Sequence, residues 1–495
     1  MTNAEQALSD DILGLILQQY LVPWTGYTPS SRLQTIKSVS LSCRALALIC
    51  RKFIFEYIVI AIGGIVTSKN NAEDVASLLE SNPSYLNFIR GLRVKSHVRC
   101  VPSSGVSAPL TMDNKMVYPS SSDIGTVALR YTSSMEEEAA VCWILAQKFP
   151  QLQSFHLSIL PETRDYLQFE TLSKVCRDTS LLRCPQWSSQ TDSSPAAEGV
   201  AILIFQEAIL RFLGTCDFKH LSLTSNLPTR LIKFCKTTKL KSLTLCNFTH
   251  TPMVRKQSEL PFLFGREDSA TPCESLSAED LTFDDAPGDV YGWVKGPDCH
   301  LDLKDLKTLT VYFGDDPRSR VFPIKAMEKL TCLRIFQKGS IHMELRPLKN
   351  LCQFTYATDC RLNRPPMWLT STLSRALLRL PTVPNHEFIP LEYLEVMLRV
   401  QDVDSPATLE PLAVFSQWLC ETKALFKNLR TLRIVVCLSD SRWHESSLEA
   451  RERWGDILRS PFLETISSLN NTALDTAVVK RSDYPLWNAR LEANF

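Results

Sequence analysis

The chain has 495 residues, and its 54 basic side chains are balanced by 53 acidic ones. A balance this even offers no electrostatic footprint for nucleic acid or anionic lipid. We therefore expect neither nucleic acid nor a membrane among the partners of this protein.

From the apolar pattern of the sequence we expect no targeting or membrane-anchoring segment. Its longest apolar run, from Ile58 to Val66, has nine residues, whereas a bilayer span needs about 20. The start carries Glu5, Asp10 and Asp11 and no basic region of the kind found in secretory signals. We expect an intracellular protein, located in the cytoplasm, the nucleus or both.

The first sixty residues carry three patches of helical spacing. Ser9 is a candidate N-cap, and Ile12, Leu15 and Ile16 then recur on one side of a helix. A polar break at 23–32 precedes a second patch, and a third extends to Phe55. Three short helices of this size cannot bury all their apolar side chains among themselves, so a stripe remains for a partner.

These residues resemble the F-box, a helical module that docks on a Skp-type adaptor of cullin-RING ubiquitin ligases. The resemblance rests on the order Leu8, Ile12, Ile16, Ile36, Val39, the run 40–44 (Ser-Leu-Ser-Cys-Arg), the run 53–55 (Phe-Ile-Phe) and Ile58. Ser9 and Leu46 depart from the proline and tryptophan usual in the family. The residues matched to its adaptor-facing positions are Leu8, Ile12, Leu15, Ile16, Leu33, Ile36 and Val39.

The rest of the chain repeats one strand phrase, an apolar residue at positions one, four and six with variable residues between. Nine copies begin at Ile89, Leu152, Phe218, Leu240, Leu306, Leu330, Leu351, Leu391 and Leu429, and a degenerate copy spans 278–283. The shortest intervals are 21, 22 and 24 residues, within the range of about 20 to 29 residues of leucine-rich repeats. The phrases resemble that family, although its asparagine after the strand is mostly missing.

The resemblance implies an α/β solenoid with parallel strands on its concave face and helices on its convex face. A helix is predicted at 72–82, and the helices between phrases are predicted at 137–149, 167–182, 199–213 and 411–425. A charged amphipathic helix at 441–469 is expected to cap the last repeat. We therefore predict a three-helix F-box-like module at 1–66, an irregular leucine-rich-repeat solenoid at 67–470 and a tail at 471–495. Loop insertions are expected near 101–135, 185–199 and 251–300.

The sequence carries no catalytic or ligand-binding motif that we recognise. It has no phosphate-binding glycine loop, no Gly-x-Ser-x-Gly and no His-Glu-x-x-His. Its 16 cysteines form no Cys-x-x-Cys pair, and several lie in strand-like segments, where they fit as small buried hydrophobes. We expect no catalytic residue, no metal and no cofactor.

The variable phrase positions three, five and seven are predicted to face outward from the concave sheet. In the C-terminal copies they include residue types enriched in interface hot spots. The predicted substrate-binding residues are Tyr312, Arg334, Phe336, Tyr393, Glu395, Met397 and Arg433.

These features predict a non-catalytic substrate receptor of a Skp-cullin-F-box ubiquitin ligase. Its N-terminal helices would bind the adaptor, and its repeat sheet would bind an unknown protein substrate. The alternative is a repeat scaffold without a ubiquitin link, whose N-terminal helices serve only as a cap. An enzyme is a third reading with little support, because it would rest on scattered histidines and cysteines alone.

Overall fold

The computed structural model describes residues 36–41, 44–62, 72–102, 127–131, 135–161, 208–225, 232, 235–247, 275–284, 301–313, 327–337, 348–359, 365–378, 380, 382, 388–400, 403, 406–438, 442–443, 446–469 and 472–480. The helix predicted at 167–182, the insertion predicted at 185–199 and the N-terminal helix beginning near Ser9 lie outside the described residues. The chain forms two compact units, the first comprising 1–167 and 185–218, the second comprising 168–184 and 219–495.

The first unit begins with a short helix at 36–40 and then alternates helices and strands. Its elements are α1 (Arg44–Ile54), β1 (Tyr57–Ile62), α2 (Ala72–Ser81), a 3-10 helix (Pro83–Asn87), β2 (Gly91–Pro102), β3 (Val127–Tyr131), α3 (Met135–Leu145), β4 (Ser154–Pro161) and a helix at 208–215. Strands β1, β2 and β4 pair in parallel in that order. Helix α2 confirms the helix predicted at 72–82.

The sheet of the first unit begins inside the segment predicted as a helical module. Strand β1 has the sequence Tyr-Ile-Val-Ile-Ala-Ile, and β-branched residues of this kind favour strands over helices. Ile58 and Ile60 lie beside Leu92 and Val94 of β2, and all four are buried. The segment 1–66 therefore supplies a strand as well as helices.

The second unit contains a sheet whose strand pairs are all parallel. Its elements are β5 (His220–Ser225), β6 (Lys239–Asn247), β7 (Leu276–Asp284), β8 (Leu301–Asp302), β9 (Thr308–Phe313), β10 (Cys332–Gln337), β11 (Gln353–Asp359), α4 (Trp368–Leu377), β12 (Tyr393–Val400), α5 (Pro406–Glu421), a 3-10 helix (Lys423–Phe426), β13 (Thr431–Leu438), α6 (Leu448–Arg459), a 3-10 helix (Ser460–Phe462), α7 (Leu463–Ser468) and β14 (Ala473–Lys480). The order is β5-β6-β7-β9-β10-β11-β12-β13-β14, and β8 pairs with β7. The predicted α/β class with a parallel sheet is confirmed.

The repeated phrase sets the register of this sheet. Position four of each phrase lies beside position four of the next, in a row formed by Leu221, Leu243, Leu281, Leu309, Leu333, Phe354, Leu394, Leu432 and Leu474. At positions one, four and six of the nine copies, no side chain is more than 8% exposed. The phrase was therefore correctly predicted as a strand whose apolar positions four and six are buried.

Backbone hydrogen bonds at phrase position two lock each strand start to its neighbour. The carbonyl of Lys307 accepts hydrogen bonds from the N–H groups of Thr331 and Cys332, at 2.9 and 3.0 Å. The carbonyls of Thr331, Cys352 and Glu392 each accept two such bonds in the same way. Because buried or edge carbonyls must be satisfied, this repeated pair of bonds resists a slip in register.

An apolar residue three positions before several phrases was missed by the sequence reading. Each of these residues closes a turn, its carbonyl accepting from the N–H of phrase position one, and each is at most 8% exposed. They are Phe149, Leu303, Met327, Leu348 and Phe426. Their recurrence at a fixed offset is the signal that could have extended the phrase.

Helices pack on the apolar face of the sheet in both units. In the first unit, the ring of Phe212 from the helix at 208–215 meets Phe155 of β4 at a centroid distance of 4.9 Å. In the second unit, the Thr476 hydroxyl of β14 donates to the carbonyl of Gly455 in α6 at 3.2 Å. Among the residues that the structure describes, no helix combines the length and apolar character needed to cross a bilayer.

Three segments differ from the boundaries expected from the sequence. The segment predicted as an insertion at 101–135 contains β3, which pairs antiparallel with the end of β2. The segment predicted as an insertion at 251–300 contains β7, which is the degenerate phrase copy at 278–283. The helix predicted at 441–469 is interrupted by a 3-10 turn, and β14 then extends the sheet beyond residue 470.

Candidate functional site

Phrase positions three, five and seven lie on the sheet face opposite the helices, which we call the far face. In the second unit, position five forms a continuous row across β10 to β14. This polar row consists of Arg334, Thr355, Glu395, Arg433 and Asp475. Basic, hydroxyl and acidic groups thus alternate at the spacing of neighbouring parallel strands, about 4.8 Å.

The centre of the polar row is a buried carboxylate. Glu395 is only 4% exposed, and the Thr355 hydroxyl donates a hydrogen bond to its Oε2 atom at 3.1 Å. Arg433 lies between two acids, with its Nε atom 3.7 Å from Glu395 Oε1 and 3.1 Å from Asp475 Oδ2. The Asp475 side chain is 56% exposed. The acid at the centre of the row is therefore buried, whereas the acid at its end is exposed to solvent.

Tyr393 stands beside this row at phrase position three. Burial raises the pKa of its phenol, the nearby Glu395 carboxylate adds to the rise, and a hydrogen bond with Arg433 opposes it. The hydroxyl therefore stays protonated at physiological pH. A protonated phenol on a partly exposed ring offers a partner both a hydrogen bond and an apolar surface.

Position seven of the same strands is buried, which differs from the expectation that this position faces solvent. An apolar cluster forms there from Tyr312, Phe336, Ala357, Met397 and Val435, and it extends to position nine through Cys437, with Val479 packed against it. The rings of Tyr312 and Phe336 stack at a centroid distance of 4.5 Å. The far face is thus polar near the strand starts and apolar near the strand ends.

The predicted substrate-binding residues divide between these two regions. Tyr312, Phe336 and Met397 are at most 3% exposed in the apolar cluster, so their side chains are not on the surface. Glu395 is buried in the polar row, and Arg334, Tyr393 and Arg433 are partly exposed. Their assignment to substrate binding remains a prediction, which the structure restricts to the polar side.

The sequence contains a signal for this second buried face. Strand β13 carries an uninterrupted apolar run, Ile-Val-Val-Cys-Leu at 434–438, and β12 carries Val-Met-Leu at 396–398. Consecutive apolar residues in a parallel strand are typical of burial on both faces. The prediction from the sequence assumed that buried and exposed side chains alternate strictly along each strand, and it therefore did not include the second buried face.

The far face of the first unit is crowded at Gly91. A Cβ atom at this position would lie 2.1 Å from Tyr57 Cδ2 and 2.9 Å from Ser154 Oγ on the neighbouring strands. The Tyr57 ring is therefore able to lie across Gly91, and it approaches the ring of His156 edge-on at 6.0 Å. Only glycine leaves space for this arrangement.

His220, Ser242 and Asp280 occupy successive strands at phrase position three and contain the residue types of a hydrolytic triad. His220 Nδ1 and Ser242 Oγ are 2.8 Å apart, and Ser242 lies beside Asp280. The serine therefore stands in the middle, whereas a triad requires the histidine between the acid and the nucleophile. Burial and the nearby Lys241 lower the pKa of His220, which favours its neutral form.

Cys142 and Cys332 do not have the character of activated nucleophiles. Burial and the neighbouring Glu138 raise the pKa of Cys142 to about 11, and burial also raises that of Cys332. Reactive cysteines instead have a lowered pKa. Within the described ranges, no group of three or more His, Cys, Asp or Glu side chains is placed to hold a metal ion.

The N-terminal residues predicted to face an adaptor are only partly described. Leu8, Ile12, Leu15, Ile16 and Leu33 lie outside the described residues. Ile36 is 1% exposed and packs with Cys50, while Val39 is partly buried against the same pair. Leu41, at the end of the short helix, is 87% exposed.

The fold and the far face together define the class of this protein. It is an α/β protein with a parallel sheet of repeated strands, in which helices cover one face and the other face is partly polar. Comparisons with protein-family models, with curated proteins and with solved structures found no match.

Proposed function

We propose that this protein is a non-catalytic substrate receptor of a Skp-cullin-F-box type ubiquitin ligase. Its N-terminal segment would bind a Skp-type adaptor, and the polar side of its far face would hold a protein substrate. The observation that carries the binding role is the polar row, which contains a buried carboxylate and two partly exposed arginines, with the partly exposed Tyr393 beside it.

The repeat architecture supports a leucine-rich-repeat solenoid as the finer description of the fold. The strands follow one another at intervals as short as 21 residues, pair in parallel and share one register. Repeats of this kind present extended surfaces on which partners bind. The raised thiol pKa values and the order of His220, Ser242 and Asp280 favour binding over catalysis.

The adaptor half of the proposal is tested at Leu41. Its side chain is 87% exposed, so Leu41→Asp leaves the fold intact but places a charge in the segment that resembles the adaptor-docking motif. We expect recovery of a purified Skp-type adaptor in a pull-down to fall about tenfold. Ile36→Asp is unsuitable, because Ile36 is buried and its loss would unfold the segment.

Leu463→Asp is the matched control, since Leu463 is 64% exposed in α7 of the second unit. Equal adaptor recovery by the wild type and both variants would remove the adaptor assignment.

The substrate half is tested at Tyr393. Tyr393→Ala should lower recovery of a bound protein in affinity purification, because the ring and hydroxyl are partly exposed beside the polar row. Arg375→Ala is the control, as Arg375 is exposed on α4. Identical sets of recovered proteins from both variants would argue against the far face as the binding surface.

One observation favours the alternative of a repeat scaffold without a ubiquitin link. Ile36 is buried against Cys50, and Phe53 and Ile54 pack on the same pair. Helices that bury these apolar residues against each other leave fewer of them for an adaptor, as expected if they serve only as a cap. Under this alternative, Leu41→Asp leaves every partner bound.

A further inference from the structure

The polar side of the far face is a narrow band that runs across the strands. Position seven of β10 to β13 is buried in the apolar cluster. Gln353 and Tyr393 reach solvent at position three, and Arg334 and Asp475 reach it at position five. The band is therefore about 7 Å wide along each strand and about 19 Å long from β10 to β14. These dimensions suit a single extended peptide chain laid across the strands.

Arg334 is the cation of the polar row whose neighbours across the strands are uncharged. At the same level lie Thr310 of β9 and Thr355 of β11, and Glu395 follows only on β12, about 10 Å away by strand spacing. Arg334 is hydrogen-bonded to Cys332 on its own strand, and burial raises the pKa of that thiol, which therefore stays uncharged. The row thus carries an uncompensated positive charge at β10, on a partly exposed side chain.

The other end of the polar row carries the opposite charge. Arg433 contacts both Glu395 and Asp475, so these three groups together carry one more negative charge than positive. The Asp475 side chain is 56% exposed, whereas that of Glu395 is 5% exposed, so the excess negative charge meets solvent at β14. The polar side is therefore positive at β10 and negative at β14.

We propose that the substrate segment bound on the polar side is an extended peptide that crosses β10 to β14, with an acidic side chain at Arg334 and a basic side chain at Asp475. This inference rests on the proposed function and adds the substrate class to it. A span of about 19 Å corresponds to about six residues of extended chain, which sets the separation of the two charged residues. The charges fix which strand each end lies over, and either chain direction satisfies them.

A carboxylate suits Arg334 better than a phosphate group does. A phosphoryl group carries nearly two negative charges and is bound by clusters of arginines, whereas Arg433 is already flanked by two acids. Arg334 supplies one positive charge, and its guanidinium can donate two parallel hydrogen bonds to one carboxylate. Strand β12 lies midway between β10 and β14, so the partly exposed ring of Tyr393 favours an apolar residue in the middle of the segment.

Selection of random phage-displayed peptides of about twelve residues on the immobilised full chain tests this charge pattern. We expect recovered peptides to carry an acid and a base about six positions apart, at least about threefold more often than the starting library. Selection on Arg334→Glu should lose the acid. Selection on Arg375→Glu, which makes the same charge change at an exposed position of α4, should keep the pattern. Recovered peptides without the charged pair, or no recovered peptide, would overturn the proposal.

The contact at Arg334 is tested by fluorescence anisotropy with a synthetic copy of a recovered peptide. We expect Arg334→Glu to weaken binding about tenfold, and a peptide whose acid is replaced by lysine to restore binding to that variant. Restoration also shows that the variant is folded. Equal binding by wild type and variant, or loss without restoration, would overturn the pairing. Peptides whose binding requires Tyr393 but not Arg334 would overturn this inference while leaving the far face as the substrate surface.

Discussion

Gly91 shows how a single residue without a side chain shapes the start of the sheet. Alanine at this position would place its Cβ atom 2.1 Å from the Tyr57 ring, so the ring must move and lose its contact with His156. We expect Gly91→Ala to lower the free energy of unfolding by about 1–3 kcal/mol, as for overpacking elsewhere. The measurement is the urea midpoint of the full chain.

Gly455 provides the control for this prediction. An added Cβ there meets only Thr476 Oγ1, at 4.0 Å, and alanine favours a helix over glycine by up to about 1 kcal/mol. Gly455→Ala should therefore leave stability unchanged or raise it. An equal loss in both variants would show that the space above Gly91 is not what limits the substitution.

His220 gives the fold a predicted dependence on pH. Burial and Lys241 lower its pKa in the folded chain, so the unfolded chain binds the proton at a higher pH than the folded one. The stability contributed by neutral His220 is present above the unfolded pKa, near 6.5, and is lost as the pH falls toward the lower folded pKa. We expect His220→Gln to show a smaller drop in urea midpoint than the wild type between pH 7.5 and 5.5. An identical drop in both would contradict the assignment.

At the scale of elements, the phrase predicts where burial is deepest. Leu333 occupies position four of β10 and is fully buried, so Leu333→Ala should cost about 2–5 kcal/mol through lost burial and a residual cavity. Leu378 is 55% exposed just after α4, and Leu378→Ala should change stability by less than about 0.5 kcal/mol. Similar costs measured by urea unfolding would argue against the strand register.

The strands at the two ends show what the phrase could and could not predict. Strand β1 does carry the phrase, as Phe55, Ile58 and Ile60, but Phe55 also continues a helical spacing, and all three residues lie in the segment 1–66 predicted as a helical module. Strand β14 keeps only Leu474 of the three apolar positions, since Asn471 and Thr476 occupy the others. The pairing of β14 with β13 therefore depends on tertiary contacts and could not be predicted from the apolar pattern of the phrase.

At the scale of the whole molecule, the sequence located the candidate surface but not its limits. Arg334, Tyr393 and Arg433 lie on the polar side as expected, whereas Tyr312, Phe336 and Met397 are buried in the apolar cluster. Whether a second sheet face is covered depends on segments distant in sequence, which strand periodicity does not encode. The contacts of Glu395 with Thr355 and Arg433 likewise arise only when three separate phrases align.

The structure determines which N-terminal deletion best distinguishes a ubiquitin-ligase substrate receptor from a repeat scaffold. Removing residues 1–71 would delete β1 and expose the edge of β2, so any lost partner could reflect damage to the sheet. A chain that begins at Ile36 keeps β1 and the pair of Ile36 and Cys50. It removes five of the residues matched to the adaptor-facing positions, namely Leu8, Ile12, Leu15, Ile16 and Leu33.

The most direct measurement is affinity purification with mass spectrometry of the full chain and of the chain beginning at Ile36. A substrate receptor predicts that the full chain recovers a Skp-type adaptor, a cullin and a substrate protein. The shortened chain should lose the adaptor and the cullin but keep the substrate, because its far face is unchanged. Recovery of the same partners by both chains, or no adaptor with the full chain, would contradict the proposed function.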